Sequence, residues 1–118
     1  MSVSFKGAGE LVVTFYNNQE KPVKEGDPVK LTANGEITPA ASGERFMGVA
    51  LKVNGDYAAC RINGFCEMPF TGAAPKIGYG SLAADGQGGV KTVTTAAGTG
   101  EVLILTVDSA DKSVGFIL

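Results

Sequence analysis

The chain has 118 residues, 44% hydrophobic and 19% charged, the profile of one ordinary globular domain large enough to bury a core without metal or disulfide. Ten basic against twelve acidic residues give a net charge of -2, so the cationic excess that phosphates require is missing and nucleic acid is not an expected partner. Histidine is absent, which removes the commonest general base and the commonest transition-metal ligand; no catalytic residue, cofactor site or metal site is expected.

The first sixteen residues are moderately apolar, but Lys6 and Glu10 interrupt them and no basic region precedes a hydrophobic block, so they do not read as a secretion signal. No window approaches the roughly eighteen uninterrupted apolar residues of a membrane helix. The expectation is a soluble protein made in the cytoplasm, with no membrane partner.

Residues 1–10 are punctuated by Gly7-Ala8-Gly9 and are read in two ways. They form an extended arm whose Val3 and Phe5, together with Leu11 and Val13, lie across a neighbouring subunit and add a strand to it, or they merely lead into the first strand of their own sheet. From Leu11 to Tyr16 the apolar residues alternate, with Leu11, Val13 and Phe15 on one face, which is a strand signature. For Leu11 to Tyr16 alone, the ordinary first strand is favoured. Polar residues then run to Glu25-Gly26-Asp27-Pro28, a turn that delivers the chain into a strand carrying Val29 and Leu31. Asn34-Gly35 predicts a tight type I′ hairpin leading to Ile37.

After Pro39 to Gly43 closes that hairpin, Phe46 to Leu51 is almost continuously apolar and predicts a central strand. Asn54-Gly55-Asp56 turns the chain again. From Tyr57 to Met68 a period-two pattern predicts one long strand, bent or bulged at Gly64, with a second hairpin at Asn63-Gly64 as the alternative. Cys60 and Cys66 lie on it; six positions of extended chain separate them by roughly 20 Å, so two buried, reduced thiols are expected. Pro69 to Pro75 reads as a loop, and a short helix or turn near Thr71 to Ile77 is the only helical element allowed. Leu82, Val90 to Thr95, Val102 to Val107 and Val114 to Leu118 supply the remaining strand segments.

The second half restates the first. Leu31-Thr32-Ala33-Asn34-Gly35 is echoed by Leu82-Ala83-Ala84-Asp85-Gly86, and Gly43-Glu44 before an apolar run is echoed by Gly100-Glu101. The expected fold is all-β: about nine strands in a small barrel or sandwich, built from two pseudo-repeated units near 25–68 and 77–118 that share a core within a single domain, with little or no helix.

The chemistry visible along the chain is sparse. Gly86-Gln87-Gly88-Gly89-Val90-Lys91-Thr92 is superficially like a phosphate-binding loop, but Val90 precedes the lysine where glycine is required and a strand follows instead of a helix. Asp27, Asp56, Asp85 and Asp111 stand in turns, where aspartate usually accepts backbone N–H bonds. The expectation is a protein that is not an enzyme.

In order, Glu25-Gly26-Asp27-Pro28-Val29, Gly35-Glu36-Ile37, Gly48-Val49-Ala50-Leu51, Gly55-Asp56-Tyr57-Ala58 and Gly64 before Pro69 resemble the pattern of tailed-bacteriophage capsid-decoration (head cement) proteins. The likeness spans about Glu25 to Leu118; the second half departs from the pattern, with Gly78-Tyr79-Gly80-Ser81 where a Gly-Asp turn is expected. What the resemblance implies is a virion structural protein on the capsid surface. It would act as a homo-oligomer, favoured as a trimer, and bind the major capsid protein on the outside of the assembled head. Other virion roles, in the tail or at the head-tail connector, and a ligand-binding β module are the alternatives.

Overall fold

Alternating apolar residues broken every few positions by glycine leave the chain little option but short strands, and the computed structural model has ten of them among the described residues. It describes residues 4–5, 7–93 and 100–118. The strands are β1 (Leu11–Asn17), β2 (Pro28–Ala33), β3 (Glu36–Pro39), β4 (Gly48–Asn54), β5 (Tyr57–Asn63), β6 (Phe65–Thr71), β7 (Gly78–Ala84), β8 (Val90–Thr92), β9 (Gly100–Asp108) and β10 (Ser113–Ile117). The protein is all-β, with no helix among the described residues; the segment 72–77 is irregular.

The strands close into two five-stranded barrels, β1-β3-β2-β4-β5 and β10-β6-β8-β7-β9. Their connectivity is the same. In the first, β1 runs parallel to β3 and antiparallel to β5, β2 lies between β3 and β4, and β4 pairs with β5. In the second, β6 stands for β1, β7 for β2, β8 for β3, β9 for β4 and β10 for β5. The two-unit reading is therefore right, but the units are 11–63 and 65–117. The expected first unit ended at Met68, inside β6, which belongs to the second barrel.

Each barrel has its own interior, so the single shared core is corrected to two. Val23, Val29, Ile37, Ala50, Ala58 and Cys60 fill the first. The second, larger cluster is built on Met68, Phe70, Leu82, Ile104, Val114 and Phe116 and takes in Ala40, Phe46 and Val49 from the first half. Phe46 meets Phe116 edge to face at 5.9 Å between ring centroids, so the first unit plugs one end of the second.

Two joints fix the barrels together. Gly64, with φ +108, separates β5 from β6, so the long strand expected over Tyr57 to Met68 is broken there into two that serve different barrels and do not pair with each other. A side chain at this position would also lie 2.7 Å from the Ala8 carbonyl oxygen and 2.9 Å from the Glu10 Cα. The second joint is made by Gly43 and Glu44. Gly43 donates its N–H to the Ala84 carbonyl at 2.8 Å, and the Ala84 N–H donates to the Glu44 carbonyl at 3.0 Å. The Glu44 carboxylate in turn holds Lys30 through both oxygens at 2.8 Å and accepts the Ala41 N–H. Lys30 first and Ala41 second keep its pKa below the ordinary carboxylate value. Gly100 and Glu101, the sequence echo of this pair, lie in β9 and pair with Leu82 and Ser81 of their own barrel.

Local turn chemistry is close to expectation with one difference. The β2–β3 hairpin forms at Asn34-Gly35, but only Gly35 takes a positive φ, +66°, and the ladder slips between Leu31 and Ala33. The hairpin therefore uses a bulge in place of the type I′ turn, which requires both central residues left-handed.

Candidate interaction surface

The segment before β1 is tied to its own chain wherever it is described. Phe5 stacks on Phe65 in a tilted arrangement at 5.7 Å, the Ala8 carbonyl accepts the Phe65 N–H at 3.1 Å, and Glu10 pairs with Arg61 at 3.2 Å. Arg61 also donates to the Phe65 carbonyl at 3.0 Å, so this segment straps the Gly64 joint. Phe5 thus packs within its own chain, which departs from the arm reading for that residue; Val3 lies outside the described residues. Val13 is half-buried in β1 opposite Cys60, an ordinary first-strand position. Leu11, at the start of β1, is 49% exposed, and the β1–β5 register slips between it and Val12. The described members of the set, Phe5, Leu11 and Val13, are not brought together into one surface.

The surface that does collect large apolar groups was not singled out. At one end of the first barrel Tyr16 and Tyr57 are opposite each other on β1 and β5, both pointing outward, with their rings edge to face at 6.2 Å. Tyr57 is 58% exposed. The same row continues through Glu36 on β3 to Ala33 on β2, and Leu31, two residues back on β2, is 53% exposed. The signal in the sequence was the parity of Leu11 to Tyr16: Tyr16 falls on the outward face, where an aromatic has no core to enter. Ile77 just before β7 and Tyr79 within it are exposed as well, Tyr79 by 77%.

Internal repetition sharpens the meaning of the tyrosine pair. The Asn17 N–H donates to the Asp56 carbonyl and the Phe70 N–H to the Lys112 carbonyl, which makes Asn17 and Phe70 structural equivalents. Tyr16 and Tyr57 then correspond to Pro69 and Ser113, a cross-strand pair of the second barrel. The barrel closes equally well with a proline and a serine there, so folding alone does not call for two tyrosines at that end.

The polar groups are used in structure. Asp85 accepts the N–H groups of Gln87 and Gly89 at 2.7 and 3.0 Å, so the glycine-rich loop already holds an anion, its own carboxylate. Asp27 caps its turn by accepting the Lys24 N–H at 2.8 Å. In the β9–β10 turn the capping residue is Asp108, which accepts from Ala110 and Asp111; the expectation placed that role on Asp111. No side-chain bond of Asp56 is present among the described residues, and its carbonyl serves Asn17 instead. Among the described residues no three of His, Cys, Asp and Glu converge as metal ligands. Cys60 and Cys66 are free and buried in the first and second barrel respectively. Burial pushes the Cys60 thiol up to about 11 and raises Cys66 as well, so both stand as neutral core groups. Scans against protein-family models and against curated proteins returned no match.

Proposed function

We propose that this protein is a phage virion component that binds the outer surface of the assembled head and reinforces it, with the major capsid protein as its partner. The observation that carries the reading is the outward Tyr16–Tyr57 pair, at a barrel end whose duplicate has Pro69 and Ser113. Exposed aromatics with few rotatable bonds are the residue type that supplies most binding energy at protein interfaces. Two barrels joined by backbone bonds at Gly43–Glu44 and strapped at Gly64 present that end on a rigid body, which lowers the ordering cost of attachment. The sequence resemblance to capsid-decoration proteins supplies the identity of the lattice. On such a lattice modest affinity per contact suffices, because many copies, as homo-oligomers favoured as trimers, share the load.

The test is co-sedimentation of the purified protein with purified DNA-filled heads and, in parallel, with purified tails. Head binding that saturates is the expected result. Pelleting with tails and not with heads would move the protein to the other virion compartment, and pelleting with neither would remove the structural reading altogether.

A further inference from the structure

The duplicated fold exposes an edge on one barrel that the chain itself covers on the other. Asn17, Ile37 and Leu31 form a cross-strand row in the first barrel, and Phe70, Val90 and Ala84 form the equivalent row in the second. In the second barrel the outer backbone of Ala84 is clamped by Gly43 and Glu44 through the two bonds described above. Ala84 is fully buried. In the first barrel the same position is open. The Val29 carbonyl takes the Met47 N–H at 2.9 Å, and backbone direction alternates along a strand, so the Leu31 N–H and C=O point to the same side as that carbonyl. The β2–β4 ladder stops at Val29↔Gly48, and no backbone partner of Leu31 on that side is present among the described residues. The reason lies in the chain path: residues 43–46, which would have continued along β2, cross to the second barrel instead, where Glu44 binds Ala84 and Phe46 enters the core.

We infer that the open edge of β2 at Leu31 receives a main-chain segment of the capsid subunit, held by one N–H and one C=O as Gly43 and Glu44 hold Ala84, with an apolar side chain of that segment seated on Leu31. The covered position shows which occupant fits, a backbone segment with a small residue at the contact. The uncovered one differs by offering leucine where the other has alanine, which adds apolar area for a side chain to bury. Strand and loop addition to a free edge draws affinity from main-chain bonds and specificity from the side chains beside them. The Tyr16–Tyr57 pair stands at the same end of the barrel, in the row that ends at Ala33, so one partner surface can meet both.

This inference rests on the head-binding reading, and the experiment separates the two. Amide hydrogen exchange is measured on the whole protein free and bound to purified heads, alongside head binding by Leu31→Lys and by Asp111→Lys, a turn substitution on the other barrel. In the free protein the Leu31 amide exchanges rapidly while that of Ala84 is protected. On heads the Leu31 amide becomes protected, Leu31→Lys weakens binding about tenfold or more, and Asp111→Lys binds as wild type. A wild-type protein that binds heads while Leu31 keeps exchanging, or a Leu31→Lys variant that binds equally well, overturns the edge proposal and leaves head binding standing. Failure of the wild type to bind heads overturns both.

Discussion

Single side chains show where the two barrels part company despite their shared path. Asn17 occupies the place that Phe70 fills in the second barrel, and it is 1% exposed. It is tolerated there because its Oδ1 accepts the Val23 N–H at 2.9 Å and so anchors the loop that brings Val23 into the first core. Asn17→Ala leaves that N–H unsatisfied, and urea unfolding is expected to show a loss of about 1–3 kcal/mol. The thiols give a pH signature. Cys60 is held neutral up to about 11 against an ordinary value of 9.0, so the native state binds its proton more tightly than the unfolded chain does. Its contribution is complete below pH 9 and declines as pH rises toward 11, at up to about 1.4 kcal/mol per pH unit for one proton. Thermal unfolding midpoints between pH 8 and 11 should therefore fall more steeply for wild type than for Cys60→Ala. Equal slopes would mean that another group titrates in that window.

Among the elements, the β5–β6 junction shows both how far sequence pattern reaches and where it stops. Period-two alternation from Tyr57 to Met68 identifies extended chain, and it survives intact because Gly64 bends the strand without skipping a residue. Parity, however, says nothing about which strands lie alongside. One run could therefore be read as a single strand when it serves two barrels. The repeat was legible through the turns that follow β2 and β7, because turn geometry restricts residue type, but its residue register was not: Leu82, set against Leu31 in the sequence, is the structural equivalent of Val29. Its true start was not, because β1 and β6 share only an inward parity, which Val13, Phe15 and Asn17 satisfy in one and Cys66, Met68 and Phe70 in the other. The Gly43–Glu44 clamp was invisible for a related reason: it acts between units, and its echo at Gly100-Glu101 sits in a strand. Gly64→Ala combines a left-handed φ with backbone atoms closer than 3.0 Å, and a loss of about 2–4 kcal/mol is expected by denaturant unfolding. Removing residues 1–9 deletes Phe5 and the Ala8 carbonyl from the same joint. The truncated protein should be less stable by about 1–3 kcal/mol, with faster amide exchange at Phe65.

For the whole molecule, duplication supplies two barrels on one path, and divergence between them supplies the exposed tyrosine pair on which the proposed head binding rests. The fold class and the presence of two related units were readable from glycine spacing and alternation. The exposed aromatic pair was not, since Tyr16 and Tyr57 are distant in sequence and only closure of the barrel brings their strands side by side. Titration of purified heads with wild type and with the double substitution Tyr16→Ser, Tyr57→Ser tests this directly. The account predicts saturable binding by wild type and a fall of at least about tenfold in affinity for the double variant, with its unfolding midpoint little changed because the second barrel carries a proline and a serine at the same positions. Equal affinity of the two proteins for heads would contradict it.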